Sequence, residues 1–313
     1  MPYVSVLPDF AQFPFTRERA LAANISDTVL RGSRVRRLFK GVYILATVDL
    51  SLTLWLRAAL LAAPPGSVVS HMTAVRMYGF DLGDEVPFHL STRAKTHTRR
   101  DGIKLHQRKA PISTVHIDGV PVTGANRTLV DIATKVDLVQ LIQAIEFMVH
   151  HGHTSMQSLA DYAMRRHLDG VRRMRRVLPY ARHGVESPME TFVRLMLVLA
   201  RLPEGEPNLN IHDELGTFLA RGDLVYAAHL VLVEYDGWQH ERDAQQRVHD
   251  IGRRERLEQA GWRLIIVTVG DLQRPHAIVR RVHTALVDRG YTGPDPVFST
   301  MWLTWFVPRT TPA

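Results

Sequence analysis

Two carboxylates and a histidine follow an apolar run in His229-Leu230-Val231-Leu232-Val233-Glu234-Tyr235-Asp236-Gly237-Trp238-Gln239-His240. A strand that ends in charge is hard to explain by packing, because a half-buried carboxylate without a partner costs several kcal/mol or shifts its pKa. Strand periodicity puts Glu234 and Asp236 on one face with Leu230 and Leu232, about 6–7 Å apart. If Tyr226 pairs with His229 across a short Ala227-Ala228 turn, Asp223 faces Leu232 and is the diagonal neighbour of Glu234 on that face. A turn of odd length would send Asp223 to the other side. Two or three carboxylates so close repel, and a shared hard cation, Mg²⁺ or Mn²⁺, relieves them. Held by Asp223 and Glu234, it would polarise a phosphodiester, lower the pKa of a bound water and steady the leaving oxygen.

The elements that must position these residues follow from pattern. The expected order is a helix over 188–201, strands near 208–213, 217–226 and 229–235, a helix over 241–260, a strand over 262–269 and a helix over 275–289, that is, αβββαβα. Gly261 ends the second helix, and Arg263-Leu264-Ile265-Ile266-Val267 is apolar on both faces and must be buried. Ser187-Pro188-Met189-Glu190 is a capping box, so Glu190 serves either the helix start or the site. Asp236-Gly237 also suits a turn, His240 a helix start, and Asp250 with Arg253 an ion pair.

The order and acidic pattern resemble the PD-(D/E)XK nuclease superfamily, and more closely its Vsr-like branch. The matching residues are Ser187-Pro188-Met189-Glu190, Asp223, Glu234-Tyr235-Asp236-Gly237-Trp238-Gln239-His240, then Asp250, Arg253, Leu257 and Gly261-Trp262. The resemblance implies a catalytic set of Glu190, Asp223, Glu234, Asp236 and His240, with Asp223 and Glu234 as metal ligands and Asp250 and Arg253 in support. One position departs from the superfamily: Asp236 stands where a lysine is usual, and no lysine follows Lys135. The Vsr-like branch shares that substitution. The positive role then falls to His240, Arg247, Arg253 or a second metal.

Charge separates the chain into unlike parts. Residues 1–110 hold 16 Lys and Arg against 8 Asp and Glu, and residues 111–313 hold 23 of each, so the whole net charge of +8 lies in the first third. Such a basic module is the footprint of a nucleic-acid anchor or a solvated face. Within it, Thr16 and Ser26 can cap two short helices before the basic and apolar alternation of residues 33–43 turns at Gly41. This stretch resembles the winged helix-turn-helix of AbiEi-family abortive-infection antitoxins. The resemblance implies that Arg34, Arg36, Arg37 and Lys40 contact DNA phosphates and that the second helix faces a major groove.

Residues 51–164 read as a mixed α/β middle region, with helices over 52–63 and 70–79 and β-prone runs at 86–91, 102–107 and 114–123. Val122-Thr123-Gly124-Ala125-Asn126-Arg127-Thr128-Leu129-Val130-Asp131 resembles the same antitoxin family, and Arg127 with Asp131 suits an ion pair four residues apart. A basic linker helix (165–185) leads to the nuclease-like domain (186–290) and an apolar tail (291–313). The fold class is therefore α/β and multi-domain.

The 313 residues contain no cysteine, which excludes disulfides and cysteine nucleophiles and fits a reducing cytoplasm. The most apolar helix, residues 52–63, is interrupted by Arg57 and is too short for a membrane span. These features lead to the expectation of a DNA-binding, Mg²⁺- or Mn²⁺-dependent endonuclease. The alternative is a non-catalytic regulator or antitoxin, with a cognate toxin as partner and a degenerate nuclease domain.

Overall fold

The computed structural model describes residues 9–95, 100–237 and 244–307, apart from the side chains of 9, 10 and 244–250. It is an α/β protein whose chain divides into two compact units, residues 1–135 with 166–171 and residues 136–165 with 172–313.

The first unit opens with β1 (Phe15–Thr16), α1 (Arg17–Ala22), α2 (Asp27–Arg31), β2 (Val35–Phe39) and β3 (Val42–Leu45), whose strands lie in the order β1-β3-β2. Thr16 caps α1 by accepting the Arg19 N–H, and Phe15, Ala20, Ile25, Leu30 and Val35 bury against one another. Gly41, at φ 80, makes the β2/β3 turn, where an L side chain would be strained.

A five-stranded sheet completes this unit. Its elements are α3 (Leu52–Ala62), β4 (Val68–Val69), α4 (His71–Met77), β5 (Phe88–Thr92), β6 (Ile103–Gln107), β7 (Thr114–Ile117), β8 (Val120–Thr123) and α5 (Ala125–Ile132), with strand order β6-β5-β4-β8-β7. The expected turn between β7 and β8 forms on Asp118 and Gly119, both at positive φ, as a two-residue hairpin requires.

The second unit contains α6 (Leu138–His150), α7 (Met156–Arg165), α8 (Val171–Val177), α9 (Pro188–Leu199), β9 (Glu206–His212), β10 (Phe218–Tyr226), β11 (Val231–Asp236), α10 (Ala244–Gln259), β12 (Arg263–Thr268), α11 (Pro275–Val287) and α12 (Thr300–Phe306). From α9 to α11 the order is αβββαβα. The sheet runs β12-β11-β10-β9, with an antiparallel β9/β10/β11 meander and a parallel β11/β12 pair. Leu232, Val225 and Ile211 pack on Leu257 and Trp262, so α10 lies over the face that also bears Glu234.

Two expected boundaries move. Helix α6, expected within the middle region, belongs to the second unit because Glu146 reaches α9: Arg194 donates to it at 2.5 Å and so does Thr191. Both members of the Glu146–Arg194 pair are almost fully buried. Arg194 also binds Glu204, which in turn accepts from Arg182. The residues expected to form a separate tail are also part of this unit. Trp302 is fully buried and its Nε1 donates to the Met196 carbonyl at 2.8 Å, while Phe306 meets Phe192 edge-on.

Candidate metal and phosphodiester site

Strands β10 and β11 bring the two central carboxylates together with a register different from the expected one. Tyr226 pairs with Val231, Val225 with Leu232 and Leu224 with Val233, which places Asp223 directly opposite Glu234. The connection is longer than two residues: a 3₁₀ turn over Ala227–His229 is closed by Leu230 in the left-handed conformation. Relative to the expected register the pairing slips by two, and an even slip preserves the face. Asp223 is therefore the direct rather than the diagonal neighbour of Glu234.

The two acids have different partners. Arg253, reaching down from α10, donates Nη1 and Nη2 to the two oxygens of Glu234 at 2.8 and 2.5 Å, a forked pair with good geometry. Asp223 accepts the backbone N–H of Tyr235 at 2.8 Å. Burial pushes the Asp223 carboxyl up to about 7, and the nearby Glu190 and Glu234 push it the same way, against the Tyr235 hydrogen bond and Arg253. Around these acids is a polar cleft of about 220 Å³, lined also by Arg221, Tyr235, Asp236, Arg254, Leu264 and Ile266.

Glu190 lies beside this cluster with one carboxylate oxygen, Oε2, engaged. Its N–H donates to Ser187 Oγ at 3.2 Å, as the cap predicts, while its Oε2 accepts from the Glu186 N–H at 3.1 Å and from Asn208 Nδ2 at 2.6 Å. The reach-back ends one residue earlier than in a capping box, and Glu190 acts on Asp223 through its charge. Asp236 closes β11 and lines the cleft half-exposed. Among the described residues these carboxylates do not form a three-ligand cluster, which leaves two convergent acids of the two or three expected. His240 and the side chains of Arg247 and Asp250 lie outside what the structure describes.

Arg221 and Arg254 did not figure in the expected site. Arg221 was legible, being two residues before Asp223 on the same strand face, and it is ion-paired with Glu186. Arg254 is adjacent to an expected residue but carried no signal of its own.

In the first unit the basic hairpin exposes Arg34, Arg36, Arg37 and Lys40. Arg36 pairs with Ile44 and Arg37 with Tyr43, on alternate faces of the strand, and Arg36 donates to the Ala46 carbonyl at 2.8 Å. The four therefore do not form one phosphate-facing row, and Arg36 has a task within the fold. Arg127 and Asp131 form the expected ion pair at 2.9 Å, to which Arg108 adds a second contact to Asp131 at 2.6 Å.

No family model matches the chain. Two uncharacterized proteins of Mycobacterium tuberculosis, from strains CDC 1551 / Oshkosh and ATCC 25618 / H37Rv, are each 24% identical to it over 259 residues. The match covers 82% of this chain and 94% of each relative. Similarity thus extends through both units rather than being confined to one.

Proposed function

We propose that the second unit is a PD-(D/E)XK-type phosphodiesterase domain of the Vsr-like kind and that the protein is a DNA-directed, divalent-metal-dependent endonuclease. The observation that carries this reading is the pairing of Asp223 with Glu234 across β10/β11, at the floor of a cleft rimmed by arginines. The αβββαβα order and the mixed four-stranded sheet support the same assignment.

The donor set fits Mg²⁺ or Mn²⁺. Its ligands are oxygens, and Asp223 is held well above its usual range because its surroundings leave its negative charge undercompensated. When bound, such an ion supplies Lewis acidity and a more acidic water. The protein's own groups do the rest. Asp223 and Glu234 offer the oxygens, Tyr235 N–H orients Asp223, and Arg253 fixes Glu234. Arg221, Arg253 and Arg254 supply positive charge for a phosphate in the place of the missing lysine.

Purified protein incubated with supercoiled plasmid and Mn²⁺ or Mg²⁺ is expected to nick it, and Asp223→Ala and Glu234→Ala are expected to abolish nicking. Equal nicking by wild type and variants would overturn the assignment.

One observation favours a second reading. Both Glu234 oxygens are taken by Arg253, as in a site that has exchanged its cation for a guanidinium. On that reading the protein is a cytoplasmic DNA-binding regulator or antitoxin with a toxin partner and an inert nuclease fold. It predicts salt-sensitive DNA binding with no metal-dependent cleavage. Among the described residues no helix is long and apolar enough to cross a membrane.

A further inference from the structure

A second polar centre lies in the first unit, built from residues that the reading above does not use. His71 opens α4, His89 is inside β5 and His106 is inside β6. In the parallel β5/β6 ladder His106 pairs with Ser91 and His89 with Lys104, so the two histidines are diagonal neighbours on one sheet face. His71 reaches the same point because α4 starts as soon as β4 ends, with Ser70 N–H donating to the His89 carbonyl at 2.9 Å. Each histidine offers one ring nitrogen, and these three nitrogens lie within 4.8 Å of one another.

Core packing alone is a poor account of this arrangement. β5 is buried at all five positions, yet it places a histidine and a serine inside. His71 has φ 53 at the first position of its helix, an uncommon backbone for a residue other than glycine. His106 Nε2 lies 3.2 Å from His89 Nδ1, and the His71 and His106 rings stack at 3.6 Å, a contact that must open for both rings to turn toward one ion. Two nitrogens on a tetrahedral first-row ion with bonds of about 2.0–2.1 Å are themselves about 3.3 Å apart.

We propose that His71, His89 and His106 form a binding site for a zinc-class divalent transition-metal ion, with three imidazole ligands and an open fourth position. Nitrogen donors select such an ion over Mg²⁺, which separates this centre chemically from the carboxylate site in the second unit.

The surrounding shell is organised as ligating histidines require. Ser70 Oγ lies 2.9 Å from His71 Nδ1 and accepts from Ser91 Oγ at 2.8 Å, which holds the ring in place. Arg108 Nη2 donates to His71 Nε2 at 3.3 Å, a hydrogen bond that an ion would displace, and Arg108 also binds Ser91 and, at 2.6 Å, Asp131. The positive groups acting on the cluster are Lys104, Lys135, Arg108 and Arg127, with Asp131 opposing the two arginines. That excess of positive charge opposes a bare divalent ion and calls for an anionic fourth ligand, hydroxide or phosphate, facing Arg108.

The test uses the full chain, stripped with a chelator and titrated with Zn²⁺ and with Co²⁺ as separate probes. One equivalent of each is expected to bind, Co²⁺ with the intense visible absorption of a four-coordinate site. His89→Gln and His106→Gln are expected to weaken binding by more than about 100-fold while Asp223→Asn with Glu234→Gln leaves it unchanged. X-ray absorption of the zinc-loaded wild type is expected to show three imidazole nitrogens at about 2.0–2.1 Å, a measurement that needs no variant to fold. Absence of a tight equivalent, a six-coordinate cobalt spectrum, or loss of the site in the carboxylate variant instead of the histidine variants would overturn the proposal.

Discussion

Asp223 and Glu234 face each other across two antiparallel strands, but Glu234 receives a two-pronged guanidinium while Asp223 accepts a backbone N–H and has its own carboxyl pushed up to about 7 by burial. The asymmetry fixes the sign of the pH dependence. The folded-state pKa of Asp223, about 7, lies above the ordinary 3.8. Its contribution to stability is therefore fully present below about pH 4 and is lost as pH rises through 7. Chemical denaturation of wild type and Asp223→Asn across pH 4–8 is expected to show the wild type losing roughly 2–4 kcal/mol relative to the variant. A pH-independent difference would mean that the carboxylate is already ionised at pH 5.

The same proton couples to cation binding. A divalent ion must displace it, so Mn²⁺ is expected to raise the melting temperature at pH 8 much more than at pH 5.5. Calorimetry in two buffers of different ionisation enthalpy is expected to detect about one proton released per ion near pH 6.5. Asp223→Asn removes both effects. Equal stabilisation at the two pH values would place the ion elsewhere.

Arg253 separates the two readings of the domain. If it supplies the positive charge that a lysine usually brings, Arg253→Met is expected to lower nicking by about 10²–10³-fold with Mn²⁺ affinity unchanged or increased. If the guanidinium has replaced the cation, the same change creates metal binding where the wild type has none. Arg253→Lys is expected to recover only part of the wild-type rate, because an ammonium cannot reproduce the fork.

The buried Glu146–Arg194 pair makes a prediction about stability alone. Arg194→Ala strands a carboxylate that is almost fully buried, and is expected to cost about 3–5 kcal/mol in urea denaturation. Removing both charges with Glu146→Leu and Arg194→Met is expected to cost less than the single change.

Local pattern revealed the elements and only part of what joins them. The αβββαβα order was readable because the strands carry short apolar or alternating runs and each helix has a serine, proline or glycine at its end. The face of Asp223 was readable because the turn before β11 shifts the register by an even number. Its direct opposition to Glu234 was not, since Leu230 adopts a left-handed conformation that no glycine or asparagine announces. The partner of Arg253 lies 19 residues away on another element, beyond any helical or strand spacing. The same holds for α6, whose link to α9 spans 48 residues, and for the three histidines, each on a separate element. Contacts of that kind are set by packing and leave no local spacing to read.

The basic hairpin makes the last prediction. Arg37 and Lys40 are exposed near its turn, whereas Arg36 binds the Ala46 carbonyl. If the hairpin tracks a DNA backbone, each phosphate contact contributes about 0.9 to the slope of log affinity against log salt. Arg37→Ala with Lys40→Ala is expected to reduce that slope by about 1.8 without lowering the melting temperature. Arg36→Ala is expected to weaken binding mainly by loosening the end of the hairpin, visible as a lower melting temperature. An unchanged salt slope in the double variant would show that the charge excess of the first third is solvated surface, and would leave DNA capture to the arginines around the Asp223 and Glu234 cleft.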